Sequence, residues 1–233
     1  MKLTPEGLQL LLDWEVGGGR EYYEKFCIHP TVPDPENTSS GITIGIGYDL
    51  GQNDMGTTHR EWDEYLPIED LASLLTCCGL RGAEAVKVLS KVRRIEISWD
   101  AALAQFLNYT VPRYNTLAEH AFPFLDVAPQ AVQESLLSLV FNRGTSMDGD
   151  RRKEMRAIRG LVKIGKWDGI SGQLRQMKRL WPNTRGLRDR REAEALHIEN
   201  AIGRVLYELP EGAEPADQDW TTPGFYKRGG DNA

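Results

Sequence analysis

Apolar residues recur along this chain at two spacings, and the switch between them predicts its elements. Behind Thr4, Pro5 and Glu6 stand Leu8, Leu11 and Leu12 at helical spacing. A hydroxyl cap, a proline at the first helical position and an acid in the first turn mark the helix start. Glu15 falls next on the same stripe, and Gly17, Gly18 and Gly19 then end the helix. The pattern so places a carboxylate on the buried side of a last turn. Residues 21–28, with Tyr22, Tyr23 and Phe26, read as a strand or extended arm, and residues 30–40, rich in proline, as a loop. Next, Ile42, Ile44 and Ile46 alternate strictly with Thr43, Gly45 and Gly47, which is strand spacing. The other face of that strand carries Thr43, Gly45, Gly47 and Asp49. Glycine weakens a strand, so two on one face mark either a flat ligand against the backbone or a bulged, bent strand.

Beyond Gly56 the spacing becomes helical. Residues 58–66, 67–78 and 81–92 read as short helices. Ser98 caps a stronger one with Leu103, Phe106, Leu107 and Val111 on its stripe, bent or ended by Pro112. Pro129 opens a nearly all-apolar helix carrying Val132, Leu136, Leu139 and Val140, which stops at Asn142, Arg143 and Gly144. Helices over 151–164, 168–181 and 187–206 complete the set. From Pro210 onward the chain is acidic and rich in proline and glycine, as a loosely packed tail would be.

The predicted fold is α+β and mostly helical. Residues 1–56 form a small lobe of one helix and a small sheet, 57–209 a larger helical lobe with a cleft between the two, and 210–233 the tail. Length and a 40% hydrophobic content suit a core of that size. No apolar run approaches the roughly 18 residues of a membrane span, so no membrane insertion is expected. Gln9 and Asp13 interrupt the first apolar segment and no cleavage site follows it, so synthesis in the cytoplasm without a signal peptide is expected. Cys27, Cys77 and Cys78 make neither a disulfide framework nor a metal pattern; reduced thiols, no metal and no cofactor are expected.

Charge is segregated. Residues 151–191 hold fourteen lysines and arginines against Glu154, Asp168 and Asp189, within a chain whose net charge is -6. Such a segment is either a set of solvated helix faces or an attraction to an anionic polymer. Nucleic acid is one such polymer, but the chain has no recognition motif for it. Peptidoglycan, anionic through its stem-peptide carboxylates, is another.

Glu15 at a helix end followed by Thr43-Ile44-Gly45-Ile46-Gly47 resembles the active-site region of the phage-type lysozymes, glycoside hydrolase family 24. Asn142-Arg143-Gly144 after Leu139-Val140-Phe141 looks like that family's second landmark. Trp181, then Gly186-Leu187 with Arg190-Arg191 and Glu194, looks like its third. The run from Gly41 to Gly51 is most similar to the pesticin-like branch. The resemblance implies a lysozyme-like fold and cleavage of the β-1,4 bond between N-acetylmuramic acid and N-acetylglucosamine. It implies catalytic roles for Glu15, Thr43 and Asp49, and substrate contacts from Gly45, Gly47, Tyr48, Asn142 and Arg143, the last two rather as braces. The long 30–40 insertion and Tyr48, where the phage enzymes carry a histidine, depart from the pattern.

Glycoside hydrolysis needs a protonated carboxyl for the leaving oxygen and a carboxylate that activates water or steadies the transition state. Desolvation favours the protonated form of a carboxyl, which suits the first of these roles. For the second, Asp49 competes with Glu24, which has the phage-like spacing from Glu15, and with Asp34 in the proline-rich loop. Asp49 leads because one rigid strand would hold it beside the water-orienting hydroxyl of Thr43. The expected chain is a monomeric muramidase, inverting, acting in the periplasm after export, injection or release through a holin pore. A cognate immunity protein or a secretion carrier would then be a further partner. The alternative is a catalytically silent peptidoglycan-binding or structural module on the same fold.

Overall fold

The computed structural model describes residues 2–33 and 40–207, with side chains described through Gly203. The tail beyond residue 207 and Asp34 lie outside the described residues. The fold is mostly helical with a two-stranded antiparallel sheet. The chain forms two compact units, Leu12–Arg113 and a second made of Met1–Leu11 with Tyr114–Ala233. These bounds do not coincide with a division at residue 56.

In the first unit, helix α2 (Arg20–Phe26) stands where a strand or extended arm was predicted. Its aromatics are β-formers, but their spacing serves a helix. Tyr23 is fully buried, edge-on to Trp99 at 5.4 Å with its hydroxyl donating to the Ile97 carbonyl at 2.9 Å. Tyr22 and Phe26, one turn apart, share the exposed face with ring centroids at 4.7 Å. A single tertiary anchor, Tyr23, has overridden a weak local preference.

The stretch predicted as one strand is a hairpin. Strand β1 (Thr43–Ile44) turns at residues 45–47 and returns as β2 (Tyr48–Asp49), pairing Thr43 with Asp49 and Ile44 with Tyr48. Gly45 and Gly47 have φ of 54° and 70°, the left-handed region where side chains are disfavoured. The glycines therefore serve the turn. Ile42, Ile44 and Ile46 are all buried, so the alternation marked a core-facing set even though the strand reverses. Helices α3 (Met55–Trp62), α4 (Ile68–Leu75) and α5 (Gly82–Val92) follow.

Ser98 caps α6 (Trp99–Gln105), accepting from the Ala101 amide at 3.2 Å. The chain then widens into a π turn (Phe106–Thr110) and continues as α7 (Val111–Ala121), with Pro112 inside it. Proline lacks a donor and crowds the carbonyl four residues back, here Asn108. The wider turn in which Asn108 sits supplies the room, so the helix does not end there.

In the second unit, α8 (Gln130–Arg143) buries Val132, Leu136, Leu139 and Val140, and Gly144 closes it at φ 69°. Around it lie α9 (Lys153–Lys163), α10 (Asp168–Gln176) and α11 (Arg185–Tyr207). Helix α11 packs on both α8 and α10, and α9 on α10. Their shared core includes Phe122, Met155, Ile158, Leu174 and Ile198. Helix α1 (Pro5–Glu15) begins in this unit. There Glu134 of α8 accepts from the Thr4 amide at 2.6 Å and the Thr4 hydroxyl at 3.0 Å. A Cβ on Gly7 would occupy the space of that carboxyl, which is why the helix carries glycine there.

Candidate active site

Glu15 is the last residue of α1 and is half-buried, at the margin of a stripe whose buried members are Leu11, Leu12 and Val16. Gly17, Gly18 and Gly19 follow with φ of 58°, 100° and 143°. The Gly18 amide donates back to the Leu12 carbonyl at 3.1 Å, and Gly19 to Val16 at 3.2 Å. Only glycine adopts that run of angles readily, so the turn fixes where the helix ends and hence which residue stands at its end. The Tyr22 ring lies over Gly17, in the space a Cβ would need.

The β1–β2 hairpin carries the other two candidates. Thr43 is half-buried and is also bridged on its far edge by Thr31, its amide donating to the Thr31 carbonyl at 2.7 Å. Asp49 is half-buried, and its carboxylate accepts from the Gly51 amide at 2.7 Å and the Gly41 amide at 3.1 Å. Gly41 and Gly51 approach so closely that a Cβ on Gly41 would sit 2.5 Å from the Gly51 backbone. The two glycines therefore bring two amides to one carboxylate. Behind Asp49, Asn53 donates to its main-chain oxygen at 2.7 Å, and Arg113 donates to Asn53 at 2.8 Å.

Gly47 is exposed, and Gly45 is buried against Trp62, whose ring would stand 2.7 Å from an added Cβ. What approaches Gly45 is thus a tryptophan. Tyr48 lies in the core, edge-on to Trp62 at 5.5 Å, and burial pushes its phenol upward. Glu24, the rival carboxylate, is exposed on α2 and paired with Arg20 at 2.7 Å. Glu15, Thr43, Gly45, Gly47, Tyr48 and Asp49 all belong to the unit Leu12–Arg113.

Asn142 and Arg143 belong to the other unit, at the end of α8. Asn142 is exposed and accepts from Arg191 at 3.4 Å. The Arg143 guanidinium stacks over Trp181 at 4.8 Å and donates to the Arg151 carbonyl at 2.7 Å. Arg191 lies over the same ring at 6.0 Å and reaches Glu194 at 2.8 Å. The segments resembling the family's second and third landmarks thus meet around a buried carboxylate. Glu194 also accepts from the Ser138 hydroxyl at 2.7 Å and lies 3.4 Å from Arg190. Burial pushes the Glu194 carboxyl upward, against the pull of Arg191, Arg190 and Ser138. These contacts suit a brace.

Sequence reading missed Ser138 and Glu134 as polar anchors of α8. The signal was a serine and a glutamate inside an otherwise apolar helix. A polar group buried there needs a partner, so each pointed to one.

Among the described residues, no group of three histidines, cysteines or carboxylates gathers as a metal site. Cys27, Cys77 and Cys78 are unbridged, and burial raises each thiol. No described helix is long and apolar enough to cross a membrane. The chain matches no protein-family model and no curated protein sequence.

Chemically, the hairpin offers a hydroxyl and an oriented carboxylate side by side, while the end of α1 offers a second, half-buried carboxyl. A hydroxyl beside an oriented carboxylate is the kind of pair that can hold and activate a water, and a half-buried carboxyl is the kind of group that can donate a proton.

Proposed function

We propose that the chain is a muramidase of lysozyme-like fold that hydrolyses the β-1,4 bond between N-acetylmuramic acid and N-acetylglucosamine in peptidoglycan. One observation carries the reading. Thr43 and Asp49 are direct cross-strand partners, with the Asp49 carboxylate oriented by the Gly51 and Gly41 amides. Directly opposed residues on one sheet face hold their Cβ atoms about 4.5–5.5 Å apart. One rigid element then presents a water-orienting hydroxyl and a water-activating carboxylate. Glu15 is the proton donor to the leaving oxygen, and attack on the opposite face inverts the anomeric centre. The resemblance of residues 41–51 and 142–144 to the family 24 lysozymes supports the same substrate. The cell wall is then the chain's partner, reached from the cytoplasm by export, injection or release.

A second reading has an observation of its own. Asp49 is also the cap of the short 3₁₀ turn Leu50–Gln52, a structural task that an inactive module would keep. Incubation of purified sacculi with the protein separates the two. Soluble muropeptides with new reducing ends are expected, with Glu15→Gln losing 10²–10⁴-fold, the usual scale of acid catalysis. Sacculi that bind the protein but release nothing would establish the inactive module instead.

A further inference from the structure

The short segment after α8 gathers guanidiniums without matching carboxylates. Arg143 donates to the Arg151 carbonyl at 2.7 Å, and Arg152 donates to the Arg143 carbonyl at 2.6 Å. Arg156 donates to the Met147 and Gly149 carbonyls at 2.7 and 2.8 Å. Carbonyl oxygens satisfy N–H groups but carry no net charge, so these bonds order the arginines without neutralising them. The nearby acids make their direct ion pairs elsewhere, although the charge of Glu154 offsets part of the repulsion at Arg143. Asp150 and Glu154 both pair with Arg179, at 3.0 and 2.5 Å, and Asp148 is exposed. Among the described residues, Arg143, Arg151, Arg152 and Arg156 make no ion pair, whereas Arg175, Arg179, Arg185 and Arg191 each do.

The accumulated charge has a cost that the cluster itself displays. Burial, then Arg152, Arg191 and Arg151, lower the Arg143 guanidinium to about 10. Its Nε is buried and has no hydrogen-bond partner. An anion would relieve both the desolvation and the mutual repulsion, and the last carbonyls of α8 alone do not supply a full negative charge.

We propose that Arg143, Arg151 and Arg152, backed by Trp181, form an anion site that takes a carboxylate from the peptide arm of peptidoglycan. This rests on the muramidase reading. The glycan's hydroxyls and acetamides carry no charge, so the peptide carboxylates are the groups a cationic site selects. The Arg143 guanidinium, held by the Arg151 carbonyl and stacked on Trp181, and the Arg152 guanidinium, held by the Arg143 carbonyl, are already ordered for such a group, which reduces what binding must immobilise. Exposed Arg151 adds its charge beside them. The arrangement makes the end of α8 a peptide subsite rather than a brace alone.

The test is binding of the stem tripeptide L-alanyl-γ-D-glutamyl-diaminopimelate to the full chain, followed by NMR titration beside the same peptide with its carboxylates amidated. The free acid should bind at least fivefold more tightly than the amide. Arg143→Gln should abolish that preference. Because this change also removes the stacking on Trp181, Arg151→Gln, an exposed position whose main-chain contact is unaffected, is the companion variant and should reduce the preference at least twofold. A wild-type chain that does not distinguish acid from amide overturns the proposal, as do folded variants that both keep the full preference. Absence of muropeptide release by the wild type would instead overturn the muramidase reading, and the tripeptide titration remains readable in that case.

Discussion

Thr43 and Asp49 face each other across a hairpin whose turn contains two glycines in left-handed conformation. Their juxtaposition depends on chain reversal, and so does the prediction that follows. Asp49→Asn keeps an acceptor for the Gly51 amide but cannot take a proton from water. Turnover on sacculi should fall by about 10²–10⁴-fold while the melting temperature changes little. Glu24→Gln, which removes an exposed ion pair with Arg20, should keep most of the activity. NMR of the first-formed product should show the α anomer from the β-linked substrate. An inactive Glu24→Gln beside an active Asp49→Asn would move the second carboxylate to α2.

The turn itself can be probed for stability. A non-glycine residue in the left-handed region costs about 1–2 kcal/mol. Gly47→Ala, at an exposed position with φ 70°, should lose about that much. Gly45→Ala has the same backbone strain and also drives a methyl to 2.7 Å from Trp62. Overpacking of that kind costs roughly a further 1–3 kcal/mol. Urea denaturation of the two variants should therefore rank Gly45→Ala as the more damaging. Equal losses would mean that Trp62 moves aside without cost.

Much of this architecture was legible. Caps and glycines placed α1, α6 and α8, because those signals act within a few residues and need no tertiary partner. The Ile42, Ile44 and Ile46 pattern marked the buried face correctly. It could not reveal the reversal, since a two-residue strand on each side of a turn leaves alternation almost intact. Helix α2 was missed because Tyr23 decides it through Ile97 and Trp99, residues more than seventy positions away. Of the two effects expected of Pro112, an end to the helix does not occur, and the π turn before it is a property of the assembled helix that local spacing does not show. At the candidate site, the residue types were readable and the amide bonds to Asp49 were not. Those bonds require Gly41 and Gly51 to meet, which no local spacing shows.

Glu134 links stability to pH. Burial alone would raise its carboxyl, but contact with His197, the Thr4 amide, Gln130 and the Thr4 hydroxyl outweighs it and holds the group below its ordinary 4.5. A carboxyl depressed in the folded state binds its proton more readily when unfolded. Its contribution is therefore complete above 4.5 and is lost as pH falls through the folded value. The stability difference between wild type and Glu134→Gln, followed by urea midpoint, should be largest near neutrality and shrink below pH 4.5. A difference that grows on acidification would contradict the assignment.

The buried cluster on α8 and α11 gives the sharpest stability test. Arg190, Arg191 and Glu194 are 4%, 0% and 0% exposed, and Ser138 joins them through its hydroxyl. A guanidinium does not give up its proton to escape burial, so Arg191, fully buried, needs the charge of Glu194 beside it. Glu194→Gln removes the carboxylate that Arg191 meets at 2.8 Å inside the core and should cost about 3–5 kcal/mol, the scale of a broken internal pair. Ser138→Ala removes a neutral donor and should cost about 1–3 kcal/mol. Because both act on the same oxygen, the double variant should be less destabilised than the two single losses combined, by about 0.5–3 kcal/mol. Denaturant unfolding of the four proteins completes the cycle. Strict additivity would show that Ser138 and Glu194 contribute independently, and the brace between α8 and α11 would then reside in the arginine contacts alone.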